Sequence, residues 1–568
     1  MLSFKRYLYI VLIIAVLGGI FLIYSINESR PASVHVQSGL ATEREFIGTE
    51  PADQGEKPRV WLLGDSGDES YKEIYDNVRQ FCQDIHLTVA GEGRLDMSKV
   101  DEKDLMIFCH GCVSRYADPS ELERFIAEGG RVILAAGLSE GDEDSRLWPV
   151  FGIRKKSIWE DYHDMVFEKP LLPVQPDQAY YDGGSSGSAQ IEVSEDASVY
   201  IRNAQGDVPI LYTYPWKKGS VCLINGTYLS DIRCIGLLSG AISVMLPDFV
   251  YPVLGVKTVF LDEFPMITAS DDELCKRVYG YSAEGFVRDV VWPVFQGLSL
   301  RTDTPYTSSL LVAAPSGESF EAVGDALFTT ICKSALQFGG ELVYAVSGSE
   351  DGKIVFNQDV IDRFSNTFIN YTVQGLAMEN DNFSQEMPEV PGADIRTVRG
   401  MLKSRNMRIS WKDGFTVFPA ATEGNSMESG NLFAICSVIG GYGMVSHVFD
   451  VDKFITTDGN TAAWDSEKVQ INLFESEVLA HVSWLEGRTL SETWGDVKSY
   501  QDMDYGWKKS GNRMELTCSG VEKGQAFFYH TDSRIEEAVG LTYEDVGNGY
   551  YLLRVQEDHG VIMLEEGK

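Results

Sequence analysis

Histidine is scarce in this 568-residue chain: there are eight, and none lies between His163 and His447. The gap excludes a metal site built from paired imidazoles in the central region. Cysteine is also thin. Nine are scattered at positions 82, 109, 112, 222, 234, 275, 332, 436 and 518, an odd number at low density, which excludes a disulfide-stapled scaffold. Cys222 and Cys436 sit in the apolar runs VCLI and FAICSV, where a thiol behaves as a small buried hydrophobe. Cys109-His110-Gly111-Cys112 has the spacing of half a zinc site. No second pair follows, and a closed site needs about four ligands. Positive charge is the third deficit: 48 Lys and Arg stand against 84 Asp and Glu, a formal net charge of −36. Such a field repels nucleic acid and anionic head groups, so no nucleic-acid partner is expected. Repeats of solenoid length are not apparent.

What is present is enough chain for three or four hydrophobic cores. Residues 7–25, YLYIVLIIAVLGGIFLIYS, are uncharged and mostly apolar, long enough to cross a bilayer core of about 30 Å as a helix. Lys5 and Arg6 precede the run and Glu28 is the first charge after it. Positive charge stays inside, so a single-pass cell-membrane protein with its bulk outside is expected. The run is long and no small-x-small site precedes Ser29, which favours an uncleaved signal anchor over a cleaved peptide. Residues 1–25 are thus a cytoplasmic tip and anchor. Residues 26–57, polar and aperiodic, read as a flexible stalk.

From 58 to 250 the pattern is α/β. RVWLLGD (59–65), DLMIFCHG (104–111) and RVILAAG (131–137) read as buried strands. A helix with Ile74, Val78 and Phe81 on one face lies between the first two, and Asp118 caps another that ends at Gly129-Gly130. Alternating strands and helices imply a parallel sheet covered on both faces. Residues 176–190 read as a loop, followed by sheet at 197–203, 209–214 and 220–228 and a helix at 237–246. The strand, helix, Gly-Gly and strand between Asp104 and Gly137 resemble glutamine-amidotransferase-like and flavodoxin-like domains. No Cys elbow follows Gly137, so the domain reads as non-catalytic.

Residues 251–462 alternate again. Candidate strands are 258–262, 308–314, 342–348, 371–378, 415–420 and 444–449, with helical spacing at 284–297, 319–338, 358–368 and 428–439. The pattern suits a (β/α) barrel. Its first strand, in VKTVFLDEFP (256–265), ends in Asp262 and Glu263, where barrels place their chemistry, and Pro265 stops the ladder. Residues 463–568, with short segments such as Val469–Leu473 and Tyr550–Gln556 between Gly, Asn and Asp, suggest a β-sandwich. Tyr505-Gly506-Trp507 reads as an exposed aromatic pair able to stack on sugar rings.

FLDEFP resembles motif one of the NodB-type polysaccharide deacetylases. FTVFPAATEG (415–424) and GMVSHVFD (443–450) are similar to two of that family's later motifs. The resemblance implies Asp262 as general base, His447 as general acid, and Glu263, His447 and Asp450 as ligands of a divalent metal. One imidazole among several carboxylates tolerates magnesium, calcium or manganese. The order of anchor, α/β domain, barrel and β-domain also resembles an uncharacterised family of secreted bacterial proteins with degenerate deacetylase-like domains that accompany Pel-type exopolysaccharide synthesis. It implies a surface polysaccharide as partner, together with synthesis or export proteins. The expected function is surface polysaccharide biosynthesis or modification, with N-deacetylation as the reaction. Two alternatives stand beside it: a catalytically silent glycan-binding or scaffold subunit of an export complex, and a glycoside hydrolase. The last needs two carboxyls about 5–10 Å apart, with Glu423 as one candidate partner of Asp262.

Overall fold

The computed structural model describes residues 45–48, 51–53, 55, 57–181, 183, 186–265, 272–313, 325–346, 356–378, 390–403, 407–412, 414–451, 454, 456–457 and 461–565. The expected anchor, residues 7–25, lies outside them. Among the described residues no helix is long and apolar enough to cross a membrane. The described part of 45–57 departs from the flexible stalk expected there. Phe46–Ile47 pairs antiparallel with Val521–Glu522, Gly55 bridges to Trp507, and Lys57 Nζ stands 4.0 Å from the centre of the Tyr505 ring. An open sheet edge offers unpaired backbone groups, and this segment satisfies them.

The N-terminal domain is a nine-stranded mixed sheet. Its parallel part runs through β1 (Arg59–Leu63), β2 (Thr88–Glu92), β3 (Leu105–Phe108), β4 (Arg131–Leu134) and β5 (Gly219–Ile224), in spatial order β2-β1-β3-β4-β5. Between them lie α1 (Lys72–Asp84) and α2 (Pro119–Glu128). Asp118 caps α2, its carboxylate accepting from Ser120 and Glu121 N–H. Strands 209–216, 198–203, 164–167 and 178–180 extend the sheet antiparallel. The expected loop at 176–190 holds two strands, 178–180 and 186–193, because its small polar residues pair with neighbouring ladders. Helix α3 (Ile235–Met245) closes the domain and is buried on nearly every side.

The barrel begins after β6 (Phe249–Val253). Its parallel strands are β7 (Val256–Asp262), β8 (Tyr306–Ala313), β9 (Glu341–Val346), β10 (Val373–Met378), β11 (Ala393–Arg399), β12 (Phe415–Val417), β13 (Thr422–Glu423) and β14 (Met444–Asp450). β12 and β13 are two halves of one crossing strand. Thr416 pairs with Thr397 of β11, while Thr422 pairs with His447 of β14. Between them the N–H groups of Phe418 and Ala420 donate to Val398 and Gly400, and that of Ala421 donates to Ser446. One extended segment therefore joins β11 to β14, and β14 pairs with β7. The ring closes with seven strands. β11, absent from the expected strands, carries Asp394, Arg396 and Arg399, and its charges mask the alternation.

The bottom of the barrel is plugged from outside. Leu490 N–H donates to Thr307 Oγ1 at 2.9 Å and Ser491 N–H to Glu341 Oε2 at 2.9 Å; the Leu490 side chain reaches Gly375 of β10.

The expected β-sandwich boundary at 463 is corrected. Residues 464–477 form a helix, α5 in chain order after α4 (Ser429–Tyr442), and 493–502 form another; both pack on the barrel. Val469–Leu473 lies inside α5, where Ile471 and Phe474, three apart, are buried and Val469 is exposed. The sheets proper span 504–564. One takes β6 as an edge strand, so a strand preceding the barrel belongs to the C-terminal domain. Tyr505 packs on Phe527 of the facing sheet, 5.3 Å between ring centres. Tyr505 is 0% exposed and Trp507 5%. The expected exposed aromatic pair is core, because both rings point inward between the sheets.

Candidate functional site at the mouth of the barrel

Side chains alternate along a strand, and residues in register on neighbouring parallel strands share a face. Asp262 ends β7 in register with Asp450 of β14. On the other side, Leu261 pairs with Ser308, which puts Ser309 beside Asp262. Leu311, Ala345, Ala377 and Arg399 align across β8 to β11 and share that face. It is the barrel interior, because Asp262 and Arg399 meet across it. Arg399 Nη1 lies 2.7 Å from Asp262 Oδ1 and Nη2 lies 2.8 Å from Oδ2.

The pair is held from several sides. Ser309 Oγ donates to Asp262 Oδ1 at 3.0 Å and accepts the Glu263 N–H at 3.1 Å. The Arg399 guanidinium stands 5.0 Å over the Phe260 ring. The Arg399 side chain is 3% exposed and that of Asp262 is 21% exposed. A fork of two parallel N–H···O bonds neutralises both charges and fixes both planes. The carboxylate therefore reaches solvent while the cation is sealed beneath it.

Glu263 has φ 54°, a left-handed turn that takes the chain off the strand. Phe264 follows and is buried against Trp292 at 5.4 Å between ring centres. Asp450, partly exposed, has its backbone clasped by Asn425, which accepts its N–H at 3.0 Å and donates to its carbonyl at 2.9 Å. Strand spacing of about 4.8 Å puts the Asp262 and Asp450 backbones side by side at the mouth. Glu423, in register with Val448, belongs to the same interior face; it is half exposed and paired with Lys403 at 2.8 Å.

His447 is not among them. It pairs in register with Val259, three residues below Asp262 and on the opposite face. There it lies outside the barrel, under α5, with its ring 5.0 Å from Phe474 and 4.6 Å from Phe449. Its Nδ1 is 2.8 Å from Thr422 Oγ1. It is 0% exposed, and burial pushes the imidazole down to about 3. The expected roles of His447 as general acid and metal ligand are thus corrected by an odd-numbered offset along a strand. An imidazole neutral throughout the physiological range and facing α5 neither protonates a leaving group at the mouth nor ligates there.

The residues present do not fit the divalent metal that the deacetylase resemblance implies. Asp262, Glu263 and Asp450 gather at the mouth, but the imidazole faces away and Asp262 already binds a guanidinium. Among the described residues no group of three or more His, Cys, Asp or Glu side chains is placed to hold a metal ion. Arg399 and Ser309 went unread in the sequence. The available signal for Arg399 was a cation ending the apolar-alternating stretch TVR; only ring closure brings it to Asp262.

Residues 70–331 match the model of a family described as an uncharacterised protein conserved in bacteria, DUF2194. The match runs from α1 into the barrel. The chain has no match among curated proteins. Among solved structures it is weakly similar to a β-galactosidase from Bacillus circulans sp. alkalophilus, at 14% identity over 34% of this chain and 32% of that one, with a TM-score of 0.25. A ThuA-like protein from Bacteroides uniformis aligns at 13% identity over 34% of this chain and 93% of that one, TM-score 0.26. A maltogenic α-amylase from Thermotoga neapolitana aligns at 9% identity over 56% and 99%, TM-score 0.23. The chain spans about a third of the length of the β-galactosidase it matches.

Proposed function

We propose that the barrel mouth is a glycan-binding site, through which a surface-anchored protein engages an extracellular polysaccharide. The observation that carries this reading is the Asp262–Arg399–Ser309 constellation. A carboxylate locked in one plane, open to solvent on one edge and neutralised from below, is a fixed acceptor for sugar hydroxyls. The same fork commits both carboxylate oxygens to Arg399 and fixes their plane, which suits holding a ligand in one orientation. The anchor and the extracellular location belong to the proposal and rest on the apolar run at 7–25 and its flanking charges.

Calorimetric titration of the full-length chain with N-acetylated and N-free amino-sugar oligomers tests this. Saturable binding that Arg399→Ala abolishes, without acetate release, is the expected result. Acetate release that Asp262→Asn removes would return the site to the esterases.

A second reading, glycoside hydrolysis, is favoured by one observation: Asp262 and Asp450 end neighbouring strands in register. Retaining glycosidases hold their carboxyls about 5–5.5 Å apart. New reducing ends, lost in Asp450→Asn, would establish it.

A further inference from the structure

Residues 45–57 precede the N-terminal domain in sequence, yet they pack on the C-terminal one. The Glu45 carbonyl accepts the Lys523 N–H at 2.8 Å, and the Gly48 carbonyl accepts the Gly520 N–H at 3.1 Å. Further along, Thr517 Oγ1 donates to the Asp53 carbonyl at 3.1 Å and Lys57 Nζ to the Tyr505 carbonyl at 3.1 Å. These bonds continue the pairing of Phe46–Ile47 with Val521–Glu522 and of Gly55 with Trp507. The Phe46 ring lies 5.0 Å from Nζ of Lys498, on helix 493–502. Gly48 has φ 75° and Gly55 has φ 54°, and a Cβ at either would strike a backbone carbonyl, that of Cys518 or that of Trp507. Glycine stands at both of the closest approaches, so the segment is shaped to this surface.

The surface lies at the sealed end of the barrel. β6, an edge strand of the C-terminal domain, leads through Leu254 and Gly255 into the first residue of β7, and Arg554 Nη2 donates to the Gly255 carbonyl at 3.0 Å. Val256 and Lys257, at that end of β7, pair with Glu486 and Gly487. From there the chain passes through the plug at Leu490 and Ser491 into helix 493–502. Ser499 Oγ of that helix accepts the N–H of Glu522, the strand partner of Phe46, at 2.8 Å. Asp262, Arg399 and Asp450 stand at the opposite ends of their strands. The seven residues of β7 put about 20 Å between the two ends.

We propose that residues 45–57 are a strap that carries the membrane attachment into the C-terminal domain and so turns the barrel mouth away from the bilayer. The inference rests on the anchor at 7–25 in the reading above and adds an orientation to it. Residues 26–44, nineteen in all, separate the apolar run from Glu45. Nineteen residues reach about 65 Å at full extension and average about 24 Å as a coil. The exit beside Lys523 is then the part of the body held nearest the lipid. Without the strap the chain would first meet the body at Arg59 of β1, and the barrel could turn either end to the membrane. A mouth on the far side is the one an extracellular polymer reaches.

The test is energy transfer in the full-length chain reconstituted into phosphatidylcholine vesicles that carry an acceptor dye on their head groups. The donor dye sits on one introduced cysteine: Lys523→Cys at the exit, or Ser426→Cys in the exposed turn after β13 at the mouth. Cys112→Ser removes the one native cysteine that is not buried. Transfer from the exit should exceed transfer from the mouth about two-fold or more, given the added length of β7. Gly48→Val combined with Gly55→Val dislodges the strap. It should bring the two signals together and open the amides of 45–57 to hydrogen exchange, while 526–564 keep their protection. Vesicle flotation separates the two levels of the argument. A chain that does not float with the vesicles has no anchor, and the proposal falls with that reading. A chain that floats and gives equal transfer from both positions, or more from the mouth, keeps its anchor and loses the orientation. Amides 45–57 that exchange as fast in the parent as in the glycine variant would overturn the strap itself.

Discussion

Asp262 and His447 lie on adjacent strands of one sheet and face opposite ways. Their strands are paired in register from Val256 with Met444 to Asp262 with Asp450. Three residues separate the level of His447 from that of Asp262, and an odd offset reverses the side chain. Asp262 looks into the barrel toward Arg399, and His447 looks out toward Phe474. Two residues expected to serve one site as general base and general acid are separated by the sheet itself.

His447 should therefore act on stability and not on ligand binding. Burial sets its imidazole at about 3, below the ordinary 6.5. The unfolded chain takes up a proton that the folded one refuses between those values. Its contribution is full above pH 6.5 and is lost, at roughly 1.4 kcal/mol per pH unit, as pH falls toward 3. His447→Phe should flatten that slope in urea titrations run from pH 7 to 4, at a cost of about 1–2 kcal/mol at pH 7 from the orphaned Thr422 hydroxyl. Glycan binding at the mouth should be unchanged in the variant.

The Asp262–Arg399 pair should be asymmetric. Asp262→Ala leaves a guanidinium that is 3% exposed without its counter-ion, whereas Arg399→Met leaves a carboxylate already open to water. The first should cost more, about 3–5 kcal/mol, and the second about 1–3 kcal/mol. The double variant should recover part of the first loss. Denaturant unfolding of the four proteins measures the coupling; additive effects would show that the pair is not an energetic unit.

Glu341, at the barrel's sealed end, should produce the opposite pH trend. Burial pushes its carboxyl from 4.5 up to about 7, against the pull of its hydrogen bonds from Ser491. The folded state then holds a proton that the unfolded chain gives up. This contribution is present below pH 4.5 and is lost as pH rises to about 7. Glu341→Gln, which cannot ionise, should remove that loss. A variant as pH-sensitive as the parent between 4.5 and 7 would show that the carboxyl is ionised in the fold.

The contact between the N-terminal domain and the barrel should fail at Gly236. A Cβ there would lie 2.5 Å from the Ser437 carbonyl oxygen, where α3 and α4 touch. The Gly236 N–H donates to Ser437 Oγ at 2.9 Å, and Ser239 Oγ donates to the Gly440 carbonyl at 3.0 Å. Gly236→Ala should force the helices apart at about 1–3 kcal/mol. Split melting transitions and faster proteolysis between residues 246 and 256 would report it; a single unchanged transition would mean the helices can shift.

Much of the parallel architecture was legible from local pattern. Buried runs such as LMIF and VIL are strands, because a sheet covered on both faces needs apolar residues on both. Asp118 caps its helix as its spacing implied. Legibility failed where charge or polarity broke the pattern. The strand 393–399 carries three charged residues, and one of them, Arg399, is the ion-pair partner of Asp262. Val469–Leu473 alternates like a strand, yet the neighbouring barrel rewards burial at Ile471 and Phe474 and makes it helix.

The sequence by itself determined the order of sheet-forming and helix-forming segments and the placement of Asp262 and Glu263 at the end of a buried strand, because period and termination are local properties. Ring closure through residues 415–423, the capture of Asp262 by Arg399, the outward turn of His447 and the meeting of Asp68, His110 and Arg115 were decided only by the tertiary structure. Each depends on which strands become neighbours and in what register, and a one-residue change of register reverses every side chain along a strand.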